Sequence, residues 1–348
     1  MTPVVGPSAW RGADLARDAS WLHRLTAAEI ADIDAALASW RRGGLRMVDI
    51  DRDAARMPAL EGRLARIRAE LIDGRGIAVL RGLPIERYSK DEVALIYWGL
   101  GTHIGEAVTQ NKAGDLVCEV RDRGGVYLKD NVRAYESRAA LKYHNDNSDA
   151  ASLLCYRKSK SGGESFVAST QAIYNEILAE HPEYLPPLYD GFIYERRGEE
   201  GPGEPPFSRK IPAIAYTRGQ VSWRISHSYI EKGSEKRGVN LPPLQRAALG
   251  CIEAVARRPH INFAMQLEPG DIQYLNNYTV FHTRNAFEDH DDPAKCRLLM
   301  RMWYEIPGIR NFDPKDDILR YEFIRYGNLG LNAEGWRRRF GAQGNSPA

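Results

Sequence analysis

Cysteine is scarce and scattered in this sequence. Four thiols (Cys118, Cys155, Cys251 and Cys296) occur in 348 residues, with no C-x-x-C pair. That argues against a disulfide frame or a thiolate zinc cluster and reads as reduced thiols. An excess of charge is also missing. Lysine and arginine number 48 against 46 acidic residues, a formal net charge of +2, and no long basic run occurs, so nucleic acid is a poor partner. No stretch approaches the ~18 apolar residues of a membrane span. The opening MTPVVGPSAWRGADLARD lacks the basic start and apolar centre of a secretory signal. A cytoplasmic protein is the resulting expectation. Apolar bulk is what the chain does have: 43% of its residues are hydrophobic, enough for a substantial core in one large domain or two ordinary ones.

Residues 1–104 carry mainly helical signals. Thr26 and Glu29 have capping-box spacing ahead of an apolar periodic run, and Ser89 and Glu92 repeat the pattern. LEGRLARIRAELIDGRG reads as a further amphipathic helix, and GIAVLRGLP as a short strand. From 105 to 310 the pattern changes to short apolar or alternating runs between turns, including DLVCEVRD, SLLCYRKS, ESFVAST, DIQYLNN and RLLMRMWYEI. That spacing predicts an antiparallel sandwich or barrel. It is interrupted by helices over TQAIYNEILAEHPEYL and PPLQRAALGCIEAVARRP, and by a polar Gly/Pro-rich stretch, RRGEEGPGEPPFSRKIP, that reads as a long surface loop. Residues 311–348 form a C-terminal extension. The fold class is therefore α+β, helices packed on a β core, as a single domain with an insert.

Three His-x-acid pairs occur, at His144-Asn145-Asp146, His181-Pro182-Glu183 and His290-Asp291-Asp292. About one is due by chance in a chain of this composition, so context ranks them. His181 ends a helix beside a proline, and His290 lies in a charged turn with no later histidine; both read as surface. His144 and Asp146 precede an apolar strand, where alternation would present both on one side. The competing reading is an ordinary polar turn. Two histidines and one carboxylate suit iron(II) and leave coordination positions open. His282, after the turn and apolar strand of LEPGDIQYLNNYTVFH, offers the second imidazole, or else a polar strand end. Alternation through CRLLMRMWYEI puts Arg297, Leu299, Arg301 and Trp303 on one face. A guanidinium among apolar neighbours needs an anion, supplied by a bound carboxylate or by internal ion pairs.

The ordered set HND, SGGESF, LEPGDIQYLNNYTVFH and RLLMR resembles the taurine dioxygenase and 2,4-D dioxygenase-like iron(II)/2-oxoglutarate oxygenases, relatives of clavaminate synthase, over about residues 76–305. The resemblance implies a double-stranded β-helix, or jelly-roll, with helices outside it. It implies His144, Asp146 and His282 as iron ligands and Arg297 as anchor of the far carboxylate of 2-oxoglutarate. Ser165 would assist that anchor, in Gly162-Gly163-Glu164-Ser165, where the family commonly has threonine. Arg301, Gln110 and Asn111 would meet the substrate. The implied cofactor is Fe(II), with 2-oxoglutarate and O2 as cosubstrates, and the implied reaction oxidises a C–H bond of a small anionic metabolite with release of succinate and CO2. Hydroxylation comes first; desaturation and cyclisation use the same ligands, and the retained Asp146 disfavours halogenation. Self-association is common among such proteins. The rival reading is a non-catalytic jelly-roll metal-binding or sensing protein, which would have no use for Arg297. Tyr127, Lys129, Arg224 and Tyr229 fall near the expected pocket, but packing or surface roles are favoured for each.

Overall fold

The computed structural model describes residues 1–125, 132–217, 219–313 and 318–341. Two sheets face each other. The large one runs in the order Leu22–Arg24, Ile77–Arg81, Ile272–Asn276, Ala150–Arg157, Leu298–Glu305, Glu106–Val108, with Val117–Val120 also paired to Leu298–Glu305. The small one has Ser165–Ser169 between Asn262–Met265 and Val280–Arg284, all antiparallel. Between them lies a core in which Ile77, Val79, Leu275 and Leu299 of the large sheet meet Val167 and Val280 of the small one.

Strand alternation explains how helices fit outside. In Leu298–Glu305, Met300, Met302 and Tyr304 turn outward into a cluster with the helices Ala27–Arg42, Pro58–Ile72 and Lys90–Thr102, while Leu299, Arg301 and Trp303 turn inward. The capping boxes at Thr26/Glu29 and Ser89/Glu92 both form. On the other side Ala168 and Phe281 back onto the helices Thr170–Glu180, Leu185–Asp190, His227–Lys236 and Pro243–Ala256. Two short strands from the N-terminal part, Leu22–Arg24 and Ile77–Arg81, join the large sheet edge.

Two expectations change. The helix predicted through TQAIYNEILAEHPEYL stops at Glu180, and a single turn at Pro182–Tyr184 leads into Leu185–Asp190. Pro182 lacks the N–H that continuation requires. His181 and Glu183 remain solvent-exposed beside that turn. RRGEEGPGEPPFSRKIP is not a free surface loop. Phe207–Ile211 pairs with Phe192–Glu195, and Arg196, Arg197 and Glu199 are buried. Their charges are met by distant partners: Glu322 for Arg196 and Arg133 for Glu199. Composition alone does not reveal such pairing.

Candidate metal centre

His282 lies in Val280–Arg284 between Val280, which faces the inter-sheet core, and Arg284. Period-two geometry therefore sends its imidazole inward. His144 meets it as an isolated bridge: each backbone N–H donates to the other's carbonyl, at 3.1 and 3.0 Å. Beyond His144 the chain leaves strand geometry, so Asp146 arrives through a turn and not by the alternation expected from sequence. That turn is held from behind. Asn277 Oδ1 accepts the Asp146 N–H at 3.2 Å and Asn277 Nδ2 donates to Ser148 Oγ at 3.0 Å. Arg224, wholly buried, donates from Nη1 to the carbonyls of Asp146 and Ser148 and lies 4.6 Å from the Tyr278 ring centre.

One ligand atom from each of His144, Asp146 and His282 falls within 4.8 Å of the others. The His144 Nδ1 lies 2.9 Å from the Lys142 carbonyl, which accepts its proton and leaves Nε2 with the lone pair. His282 Nε2 is 3.9 Å from Asp146 Oδ2, and its Nδ1 meets no partner among the described residues. Burial pushes the His282 pKa down to about 3, with the His144 charge adding to it, so the ring is neutral at pH 7. Burial alone would raise Asp146, but the Arg301 guanidinium and the two imidazoles outweigh it and bring the carboxyl to about 2. The site thus offers two imidazole nitrogens, that of His282 neutral at pH 7, and one anionic oxygen.

Two chambers meet at this triad, sharing Tyr135, Leu141, His144, Asp146 and Arg301 in their walls. The first is closed by Arg297, Ser165, Gly163 and Cys155. Arg297 packs its guanidinium 4.9 Å from the centre of the Phe287 ring, whose other neighbour is Arg284 at 4.8 Å. Among the described residues Arg297 Nη1 has no partner, and burial pushes its pKa down to about 10. Ser165 Oγ is 3.1 Å from Gln273 Nε2, which donates to it. Gly162 and Gly163 adopt positive φ (71° and 76°), and a Cβ on Gly162 would lie 2.4 Å from the Ala286 carbonyl. The glycine pair lets this wall close on Arg297.

Arg301 belongs to both chambers. Its Nη1 is 3.2 Å from Asp146 Oδ1, its Nε donates to Gln110 Oε1 at 2.8 Å, and its plane rests against Tyr135 and Trp303. Gln110 spends both amide hydrogens on the carbonyls of Leu116 and Arg301, and it lines neither chamber. Asn111 is turned to Asp115, bonding its carboxylate and its N–H, and also lines neither. The structure therefore gathers His144, Asp146, His282, Arg297, Ser165 and Arg301 around one space and places Gln110 behind Arg301. Arg224 supports the turn, Tyr229 lines the second chamber, and Tyr127 and Lys129 lie outside the described residues. Sequence reasoning missed Phe287 and His227. The available sign for His227 was its place in Ser226-His227-Ser228, where a strand-derived segment gives way to a helix.

The family model described as "Taurine catabolism dioxygenase TauD, TfdA family" matches residues 46–303. The chain belongs to this family. It is 36% identical over 314 residues to an FR-33289 synthase of Streptomyces rubellomurinus, covering 89% of this chain and 92% of that protein. Its fold is similar to an asparagine oxygenase solved with Fe(II), 3-hydroxyasparagine and succinate (TM-score 0.65, 18% identity, 82% and 93% of the two chains covered). It is also similar to the non-heme iron oxygenase OrfP solved with iron and α-ketoglutaric acid (TM-score 0.63, 17% identity, 89% and 100% covered). The double-stranded β-helix architecture expected from sequence is thus the one observed, and the chain is an oxidoreductase of the iron(II)/2-oxoglutarate class. Among the described residues, no helix is long and apolar enough to cross a membrane.

Proposed function

We propose that this oxygenase holds iron(II) through His144, Asp146 and His282, binds the far carboxylate of 2-oxoglutarate on Arg297, and oxidises a C–H bond of a small anionic metabolite or natural-product intermediate. The observation that carries the reading is Arg297: a buried guanidinium with an unpartnered Nη1, in the same chamber as the three metal-ligand candidates. A cation so placed needs an anion, and among the described residues no carboxylate forms an ion pair with the Arg297 guanidinium, although Asp289 lies near enough to favour its charge. A metal-sensing jelly-roll would have no reason to keep it.

The residues fit the cofactor. Two imidazoles and one carboxylate match a facial ferrous site with open positions, and His282 and Asp146 already face each other. When bound, iron(II) supplies O2 activation coupled to decarboxylation of 2-oxoglutarate to succinate and CO2, and with it the oxidising power that breaks the C–H bond. The chain's own part is binding and orientation. Arg301 occupies Asp146 Oδ1, which leaves Oδ2 turned toward His282. Lys142 fixes the His144 tautomer through its carbonyl. Phe287 braces Arg297 from one side, and the Gly162-Gly163 turn lets the wall close on it. Leu141, Leu153 and Leu299 line the first chamber and exclude water from it.

Substrate charge follows from the walls. Asp146 is the sole carboxylate lining either chamber among the described residues, against Arg133, Lys142 and Arg301 in the second. Among the described residues a free ammonium would meet no carboxylate there besides Asp146, which Arg301 already holds. The four cysteines are free thiols, which suits a cytoplasmic setting. The test is succinate formation from 2-oxoglutarate, in air with added iron(II), across panels of small carboxylates, sulfonates, phosphonates and amino acids. Substrate-stimulated succinate from an acid supports the reading. No iron-dependent succinate under any condition, or stimulation by cationic amines alone, overturns it.

A further inference from the structure

The second chamber holds a polar group that nothing above uses. His227 is 3% exposed, lines this chamber, and its Nε2 has no hydrogen-bond partner among the described residues. A buried imidazole nitrogen left unpaired is costly. It stands at the first position of the helix His227–Lys236, whose N-cap, Ser226, makes no side-chain capping bond. Among the described residues the Ser226 and Ser228 hydroxyls hydrogen-bond only to each other, at 3.4 Å, and both line the same chamber. A helix start presents backbone N–H groups without intrahelical acceptors and a partial positive charge. The same chamber contains Arg301, whose buried Nη2 has no hydrogen-bond partner among the described residues. Arg133 and Lys142 add positive charge while already paired with Glu199 and Glu231.

We infer that the start of this helix is the substrate's head-group site: Ser226, His227 and Ser228, together with Arg301, receive an oxyanion such as a carboxylate, sulfonate or phosphonate. The rest of the substrate then lies between that site and His144 and Asp146, which form the chamber's inner wall. Two unpartnered donors, one from the helix and one from the strand Leu298–Glu305, thereby acquire a common partner. The inference rests on the oxygenase reading for which chamber faces the substrate. Arg297 serves the cosubstrate, and Ser226, His227 and Ser228 select the substrate.

The experiment uses the full chain loaded with iron(II), without O2, and calorimetric titration with two kinds of ligand: 2-oxoglutarate, and then, with 2-oxoglutarate saturating, the probes propylphosphonate, propanesulfonate, butyrate and propylammonium. At least one acid should bind and the ammonium should not. His227→Phe, which keeps a ring and removes both nitrogens, should weaken that acid tenfold or more and leave 2-oxoglutarate affinity within twofold. His227→Gln should recover part of the loss because its amide restores a donor. Ser226→Ala with Ser228→Ala serves the same purpose should the Phe variant fail to fold. Arg297→Ala should show the reverse pattern. The inference is overturned when no acid binds the wild type, when propylammonium binds best, or when the serine and histidine variants bind the acid as the wild type does. Failure of 2-oxoglutarate to bind the wild type would sink the oxygenase reading instead, and the acid titration on iron-loaded protein alone would still decide the head-group site.

Discussion

Arg297 lies just ahead of the strand Leu298–Glu305 and Arg301 four residues on within it, and the structure treats them differently. Arg301 is pinned by Asp146 and Gln110, while Arg297 leans on Phe287 and keeps Nη1 without a partner among the described residues. Their losses should therefore separate. Arg297→Ala removes a charge-assisted contact worth roughly 1.5–3 kcal/mol, so KM for 2-oxoglutarate should rise about ten- to a hundredfold with iron affinity unchanged. Steady-state succinate assays and equilibrium dialysis check both halves. Gln110→Leu acts through Arg301 and should leave 2-oxoglutarate KM near wild type while raising the substrate KM; Gln110→Glu, which keeps an acceptor for Arg301 Nε, should restore part of it. Alternation pointed Arg297 and Arg301 to one face and both line the first chamber, although Arg297 precedes the strand and a register shift follows at Leu298–Leu299; the anchor role of Arg297 came from the family resemblance. His227 was less legible: its place at a helix start was visible in the sequence, but nothing local distinguishes a helix-start imidazole facing a chamber from one facing a core.

At the scale of elements, the centre depends on one turn and one glycine pair. Arg224 donates to two carbonyls of the Asp146–Ser148 turn from a fully buried position. Arg224→Met removes those donors and should lower iron affinity as well as stability, the latter by about 1–3 kcal/mol for each buried carbonyl left unsatisfied. Chemical denaturation and ferrous titration measure the two effects. Gly162→Ala forces a side chain into left-handed backbone and against the Ala286 carbonyl. Its cost, about 1–3 kcal/mol, should come with weakened 2-oxoglutarate binding, because the same wall meets Arg297. The capping boxes and the outward apolar positions of each helix were readable because they are local patterns. The turn at Asp146 was misread as strand because its bonding partners, Asn277 and Arg224, lie 131 and 78 residues away. Long-range pairing also explains the buried charges of residues 196–199, which composition presents as surface.

For the whole molecule, the double-sheet frame brings the triad together from segments about 140 residues apart, while helices on both outer faces carry most of the apolar packing. Family likeness in four short motifs made this frame legible, although the N-terminal strands that join the large sheet gave weaker signals. Stability should depend on acid through His227. Burial holds its pKa down to about 3 in the fold, against about 6.5 when unfolded. As pH falls below 6.5 the unfolded chain takes the proton first, so the stability present above that pH is lost progressively toward pH 3. The loss from this one group is about 1.4 kcal/mol at pH 5.5, and His227→Gln should flatten that part of a Tm-against-pH curve. The central claim concerns one ferrous ion and one keto acid in one chamber. Diffraction at the iron absorption edge, from crystals grown anaerobically with ferrous iron and 2-oxoglutarate, tests it most directly. A single anomalous peak between His144 Nε2, Asp146 Oδ2 and His282 Nε2, with the keto acid's far carboxylate on Arg297, is the predicted result. A peak elsewhere, or a keto acid whose far carboxylate avoids Arg297, would contradict the account.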